Sequence, residues 1–176
     1  MSALSNHKVL LTGLPGCGKT TLIRKVVDRL DVPVYGFFTS EIRKAGHRAG
    51  FEIQTFSEPP RKDILSHIEI KSKYRVGKYG VNVDAFERLA LPELNIGIRQ
   101  NGLIVIDEIG KMELYSAKLK DILIELFNSH IGLLATILFK PHPFCGRLKN
   151  HAGVEVIEVQ TNNRNGLVED LLRKFA

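Results

Sequence analysis

The chain has 176 residues, 44% hydrophobic and 25% charged, a balance expected of a soluble globular protein with one domain over residues 1–176 and a buried core. No apolar run approaches the ~20 residues of a membrane span, and two cysteines, Cys17 and Cys145, are too few for a disulfide framework. The net charge of +6 favours anionic partners, but no block of five like charges occurs, so most of the basic residues read as solubilising surface. The start, Met1-Ser2-Ala3-Leu4-Ser5-Asn6, has neither the basic end nor the apolar stretch of a secretory signal, and a cytoplasmic protein is expected.

Residues 7–11 read as a buried parallel strand, followed by the glycine-rich Gly13-Leu14-Pro15-Gly16-Cys17-Gly18-Lys19-Thr20 and a helix to about residue 30. Residues 34–39 form a second strand after the Asp31-Val32-Pro33 break. Residues 41–43 and 48–56, joined by a turn at Lys44-Ala45-Gly46-His47, have the alternation of an antiparallel hairpin. Residues 64–70 suggest a further short strand, and 71–80 a basic, aromatic, glycine-containing loop. A helix is predicted from residue 83 to 91 and beyond, interrupted or reoriented by Pro92. Residues 103–106 are a continuous apolar run ending in Asp107-Glu108, the form of a central strand. An amphipathic helix over 114–127, a strand over 131–139, a short helix near 146–150, a strand over 154–159 and a helix over 167–175 complete the chain. The alternation predicts an α/β fold in three layers, a mostly parallel sheet with helices on both faces and an inserted β-hairpin. Five core strands are expected, at 7–12, 34–39, 103–107, 131–138 and 154–159, and the ligand is expected at their carboxyl ends.

The glycine-rich stretch matches G-x-x-x-x-G-K-[ST] between a strand and a helix. Its glycines let successive N–H groups turn inward onto phosphate oxygens, and the helix N-terminus adds its dipole. Lys19 is placed to reach the β- and γ-phosphates, and the Thr20 hydroxyl to ligate Mg²⁺. All eight residues, Gly13, Leu14, Pro15, Gly16, Cys17, Gly18, Lys19 and Thr20, are assigned to the nucleotide site.

Leu103-Ile104-Val105-Ile106-Asp107-Glu108-Ile109-Gly110 has the form of a Walker B strand and is assigned to the same site. Asp107 at the strand tip suits Mg²⁺, and Glu108 is placed to orient or deprotonate an attacking water. Hydrolysis is therefore favoured over transfer to an acceptor. Asp107-Glu108-Ile109-Gly110 also fits D-x-x-G, but the guanine-reading N-K-x-D is absent, and Thr161-Asn162-Asn163-Arg164-Asn165 lacks its aspartate. Strict GTP selectivity is not expected.

Four blocks, 13–25, 36–53, 74–81 and 103–114, with a weaker fifth at 162–165, resemble the small P-loop nucleoside-triphosphatases of thermophilic prokaryotes and the cancer-related nucleoside-triphosphatase of animals. The resemblance spans nearly the whole chain. It implies a RecA-like P-loop fold and Mg²⁺-dependent hydrolysis of ATP, GTP, CTP and UTP with little base discrimination.

Arg75 and Lys78 are candidates for charge neutralisation at the γ-phosphate, with Arg43 and Arg48 behind them. Thr39 and Glu41 lie past a strand's carboxyl end, near the site. Lys111 and Glu113 read equally well as charge balance for the following helix. Asn163 and Arg164 are candidate base or ribose contacts, although an Asn before a helix is commonly an N-cap. His142, Cys145 and His151 lack a repeated pair at zinc-ligand spacing. The alternatives are a nucleotide or nucleoside kinase, with the hairpin and the 71–80 loop as an acceptor lid, and a nucleotide-switched regulator or RNA-binding protein using Tyr74 and Tyr79 for stacking. Nucleic acid and membrane are not the favoured partners, and a monomer is expected.

Overall fold

Hydrophobic alternation along the central strands sets the layers. In β1 (Lys8–Thr12), Val9 and Leu11 pack with Leu22, Ile23 and Val26 of α1 (Lys19–Val27) and with Val168 and Leu171 of α5 (Arg164–Phe175), while Leu10 faces the other way. Leu10 joins Phe86 and Leu94 of α2 (Val83–Arg99) and Leu119 and Leu123 of α3 (Ala117–Phe127). The same split recurs in β7 (Leu103–Ile109), where Val105 belongs to the α1/α5 side and Ile104 and Ile106 to the α2/α3 side. Period-two strands that are apolar on both faces must be covered twice, which is what the three-layer arrangement does. The computed structural model describes residues 6–176, so the reading of Met1 to Ser5 lies outside the described residues.

The remaining elements are β2 (Val34–Lys44), β3 (His47–Thr55), β4 (Lys62–His67), β5 (Arg75–Val76), β6 (Tyr79–Val81), β8 (Leu133–Ile137), α4 (Pro143–Lys149) and β9 (Val154–Glu158). Among the described residues, nine strands join one sheet in the order β5-β6-β4-β3-β2-β7-β8-β1-β9. β2, β7, β8, β1 and β9 are parallel neighbours, the five core strands expected. β8 lies between β1 and β7, so the strand feeding the phosphate loop and the strand ending in Asp107 are not adjacent.

The antiparallel part is larger than the expected hairpin. β2 runs without a break through residues 34–44, pairing with β7 over Val34 to Phe38 and with β3 from Phe37 onward. β4, β6 and β5 then extend the same sheet, and within the loop expected over 71–80 the chain forms a tight hairpin, residues 75–81, around Gly77 (φ 57°). Edge-to-face contact of Phe51 with Tyr79 and tilted contact of Tyr74 with Tyr115 tie that hairpin down. Pro92 does not interrupt α2. The hydrogen bond it removes would have ended on the carbonyl of Arg88, and both residues lie on the exposed face, away from the buried core. The helix predicted over 114–127 divides into a 3-10 turn, Glu113–Tyr115, and α3, whose N-cap Ser116 accepts from the Leu119 N–H.

Candidate active site

The loop between β1 and α1 is built on backbone conformations that favour glycine. Gly18, the residue before α1, has φ 103°, and a β-carbon there would stand 3.0 Å from Arg164 Nη1. No side chain caps α1, which leaves its first N–H groups to an anionic ligand. The Lys19 ammonium folds back across the loop and donates to the carbonyls of Gly13 (2.9 Å) and Leu14 (3.1 Å). A loop of inward carbonyl-held cation and unpaired helical N–H groups is an anion site.

Opposite it, β7 loses register with β8 between Ile106 and Ile109: Ile106 pairs Ala135 and Ile109 pairs Ile137, so three steps on β7 match two on β8. Asp107 and Glu108 occupy this bulge, and bulges re-aim side chains that strand alternation would send to opposite faces. Both carboxylates line the same cavity as Lys19 and Thr20. Asp107 is buried; its Oδ1 accepts from Thr136 Oγ1 of β8 at 2.5 Å, and its Oδ2 has no hydrogen-bond partner among the described residues. Burial raises its pKa, opposed by the hydroxyls of Thr136 and Thr20 and by the charges of Lys19 and Arg24. Burial, and secondarily the charge of Asp107, raise that of Glu108.

A third carboxyl, Glu113, is buried beside them. Gly110 makes the approach possible, because a β-carbon there would lie 2.6 Å from Glu108 Oε1 and 3.0 Å from Glu113 Oε2. Burial first, then the neighbouring Glu108, push the Glu113 carboxyl up to about 8, so it carries a proton at neutral pH.

The cavity holds about 540 Å³, within the range of small-molecule sites. Of the phosphate-loop residues, Pro15, Gly16, Gly18, Lys19 and Thr20 line it; Gly13, Leu14 and Cys17 do not. Of the Walker B stretch only Asp107 and Glu108 line it. Leu103, Ile104, Val105, Ile106 and Ile109 are core residues that hold the two acids in place. Thr39, Glu41 and Arg48 line the cavity, and Arg48 is ion-paired with Glu41. Arg75 and Lys78 do not line it: Arg75 donates to the Lys78 carbonyl at 2.9 Å, and Lys78 Nζ sits 5.6 Å from the Tyr79 ring centroid. Val76 between them does. Asn163 and Arg164 are also outside the cavity. The Asn163 side chain accepts from Gln160 N and donates to the Glu158 carbonyl, making no cap bond, and Arg164 Nη1 donates to the Cys17 carbonyl at 3.3 Å.

Thr136 and Glu113 were not assigned to the site from the sequence. The signal for Thr136 was a lone hydroxyl in the apolar strand Leu133–Ile137; for Glu113 it was an acid between Met112 and Leu114, in an otherwise apolar frame.

A phosphate loop and a paired-acid strand separated by one strand of a parallel sheet define a P-loop nucleoside-triphosphatase fold. The profile of the family described as NTPase matches residues 8–172. Nucleoside-triphosphatase THEP1 of Thermotoga petrophila is 41% identical over 94% of this chain and 90% of its own length, and the cancer-related nucleoside-triphosphatase of Homo sapiens is 38% identical over 93% and 94%. The crystal structure of THEP1 from Aquifex aeolicus superposes with a TM-score of 0.87 at 39% identity, covering 96% of this chain and 98% of that one. The chain belongs to this nucleoside-triphosphatase family and is an enzyme of that kind.

Proposed function

We propose that the enzyme hydrolyses ATP, GTP, CTP and UTP to the diphosphate and phosphate with Mg²⁺ and little selection among bases. One observation carries the reading: Asp107 and Glu108 share a strand bulge facing Lys19 and Thr20, with Asp107 Oδ2 buried and unpartnered. A buried carboxylate oxygen without a donor suits a cation, and Thr20 and Asp107 are the residues that would hold one. Bound there, Mg²⁺ would supply charge neutralisation for the β- and γ-phosphates. Lys19 exchanges its loop carbonyls for phosphate oxygens, and the α1 N–H groups orient them. Glu108 takes the proton of the attacking water, its raised pKa bringing its basicity closer to the working pH. Arg75 and Lys78, on the hairpin whose Val76 lines the cavity, are the cations assigned to add positive charge at the γ-phosphate. Base tolerance follows from the site's edge: Asn163 spends its amide within its own turn, leaving Arg164 as a contact indifferent to the base.

Among the described residues no helix is long and apolar enough to cross a membrane. We take the chain to act as a cytoplasmic monomer of one domain. The test is phosphate release from the four triphosphates with Mg²⁺ and with a chelator. A kcat/KM ratio between ATP and GTP above about 100, or roughly 2.7 kcal/mol, overturns the base tolerance, and chelator-resistant turnover overturns the metal.

A further inference from the structure

The cavity is longer than hydrolysis requires, and it extends in an unexpected direction. The turn carrying Asn163 and Arg164 follows β9, on one side of β1. The cavity runs the other way, past Asp107 and Glu108 to Thr39 and Glu41 on β2 and to Arg48 and Phe51 on β3. A triphosphate with its phosphates on the loop and its sugar and base toward Arg164 therefore leaves this outer half unfilled, beyond its terminal phosphate. A single attacking water occupies about 30 Å³, a small fraction of such a space.

The outer half also has a defined chemistry. Phe51 presents a half-buried aromatic ring, buttressed by the edge contact with Tyr79 and by Arg48, whose guanidinium carbon lies 5.4 Å from the ring centroid. Arg48 is charge-matched by Glu41, which also pairs with Arg43 at 3.1 Å. Thr39 and Ser40 add hydroxyls. The combination offers a stacking surface with donors and acceptors together, and Lys111 adds a further cation to the lining. It suits a planar, hydrogen-bonding molecule such as a nucleoside.

We propose that the outer half of the cavity is a phosphoacceptor site for a nucleoside, and that the enzyme transfers the terminal phosphoryl group to the nucleoside's primary hydroxyl as well as to water. The inference rests on the reading of the phosphate loop given above. The hydroxyl oxygen forms a bond to the γ-phosphorus as the bond from that phosphorus to the β,γ-bridging oxygen breaks. The electron pair leaves with the diphosphate, and the hydroxyl proton passes to Glu108. The products are a nucleoside monophosphate and a nucleoside diphosphate. Water and nucleoside compete for one phosphoryl group, so the hydrolase activity and the transferase activity share Lys19, Asp107 and Glu108 and differ only in what fills the space by Phe51.

The experiment supplies ATP labelled in its γ-phosphate, Mg²⁺ and each of adenosine, guanosine, cytidine, uridine and thymidine, and separates labelled phosphate from labelled nucleoside monophosphate. At least one nucleoside should acquire label, with a matching fall in free phosphate. Phe51→Leu, which keeps apolar volume and removes the stacking ring, should raise the KM for that nucleoside at least tenfold while nucleoside-free hydrolysis stays within twofold of wild type. Glu41→Gln, at the residue that pairs with Phe51 across the β2–β3 ladder, should raise it likewise. Normal hydrolysis without label in any nucleoside, together with no calorimetric binding of nucleosides to the ADP-saturated enzyme, overturns the acceptor site and leaves the hydrolase reading standing. Failure of ATP itself to bind overturns both.

Discussion

Replacing Glu113 by Gln isolates the buried proton at the centre of the site. In the folded protein Glu113 titrates at about 8 against 4.5 for an unperturbed glutamate, so the native state holds its proton more tightly than the unfolded chain. The stabilisation this brings is fully present below about pH 4.5 and is lost as the pH rises through about 8. Integrating between those two values, the loss from pH 5 to pH 8 is on the order of 3 to 4 kcal/mol, or roughly 10 °C in Tm for a chain of this size. Glutamine keeps the shape and is neutral at every pH. Asp107 and Glu108, whose pKa values are also raised, add slope of the same sign and persist in the variant. Urea unfolding of the nucleotide-free protein in chelator, at half-unit steps from pH 5 to pH 8, should show Glu113→Gln losing stability much less steeply than wild type. Parallel curves for the two proteins would refute the reasoning, because the proton would then reside elsewhere.

Lys19→Ala should weaken triphosphate binding strongly, as measured by equilibrium titration with a non-hydrolysable analogue; wild-type turnover at subsaturating nucleotide would remove the phosphate-loop assignment. Glu108→Gln should retain nucleotide affinity and lower single-turnover hydrolysis by about 10² or more, whereas Asp107→Asn should also change the magnesium dependence. Arg75→Ala or Lys78→Ala should lower kcat by up to about 10³ with diphosphate affinity nearly unchanged. Two variants with wild-type kcat would leave charge neutralisation to Lys19.

The parallel half of the molecule was legible because its signals are local. Apolar runs such as Leu103 to Ile106 permit only a strand covered on both faces, and the glycines of the phosphate loop sit where a strand must turn into a helix. The antiparallel half was legible at its first hairpin, which Gly46 announces, and at the short strand expected over 64–70, where β4 lies. β5 and β6 have two and three residues, too few to show alternation, and their pairing depends on aromatic contacts across long separations. Pro92 misled for a related reason: its local cost is fixed, but whether a helix continues depends on the packing of Leu89, Ala90 and Leu94 against the sheet. The site divided in the same way. Lys19, Thr20, Asp107 and Glu108 could be named from spacing. Thr136, which holds Asp107, and Glu113, which lies beside Glu108 through a gap left by a glycine, depend on strand order and on a close approach that sequence alone does not reveal.

β2 has unequal support along its length. Val34 to Phe38 pair with β7, and Phe37 and Phe38 with β3 as well; from Thr39 to Lys44 only β3 pairs with it. The far wall of the cavity is thus a cantilever, anchored in the middle of the sheet and free along one edge. Lengthening, shortening or resequencing that overhang reshapes what stands opposite the terminal phosphate without disturbing the register that holds Asp107. Substrate scope and phosphate chemistry are therefore separable along one strand, so either can diverge while the other is kept.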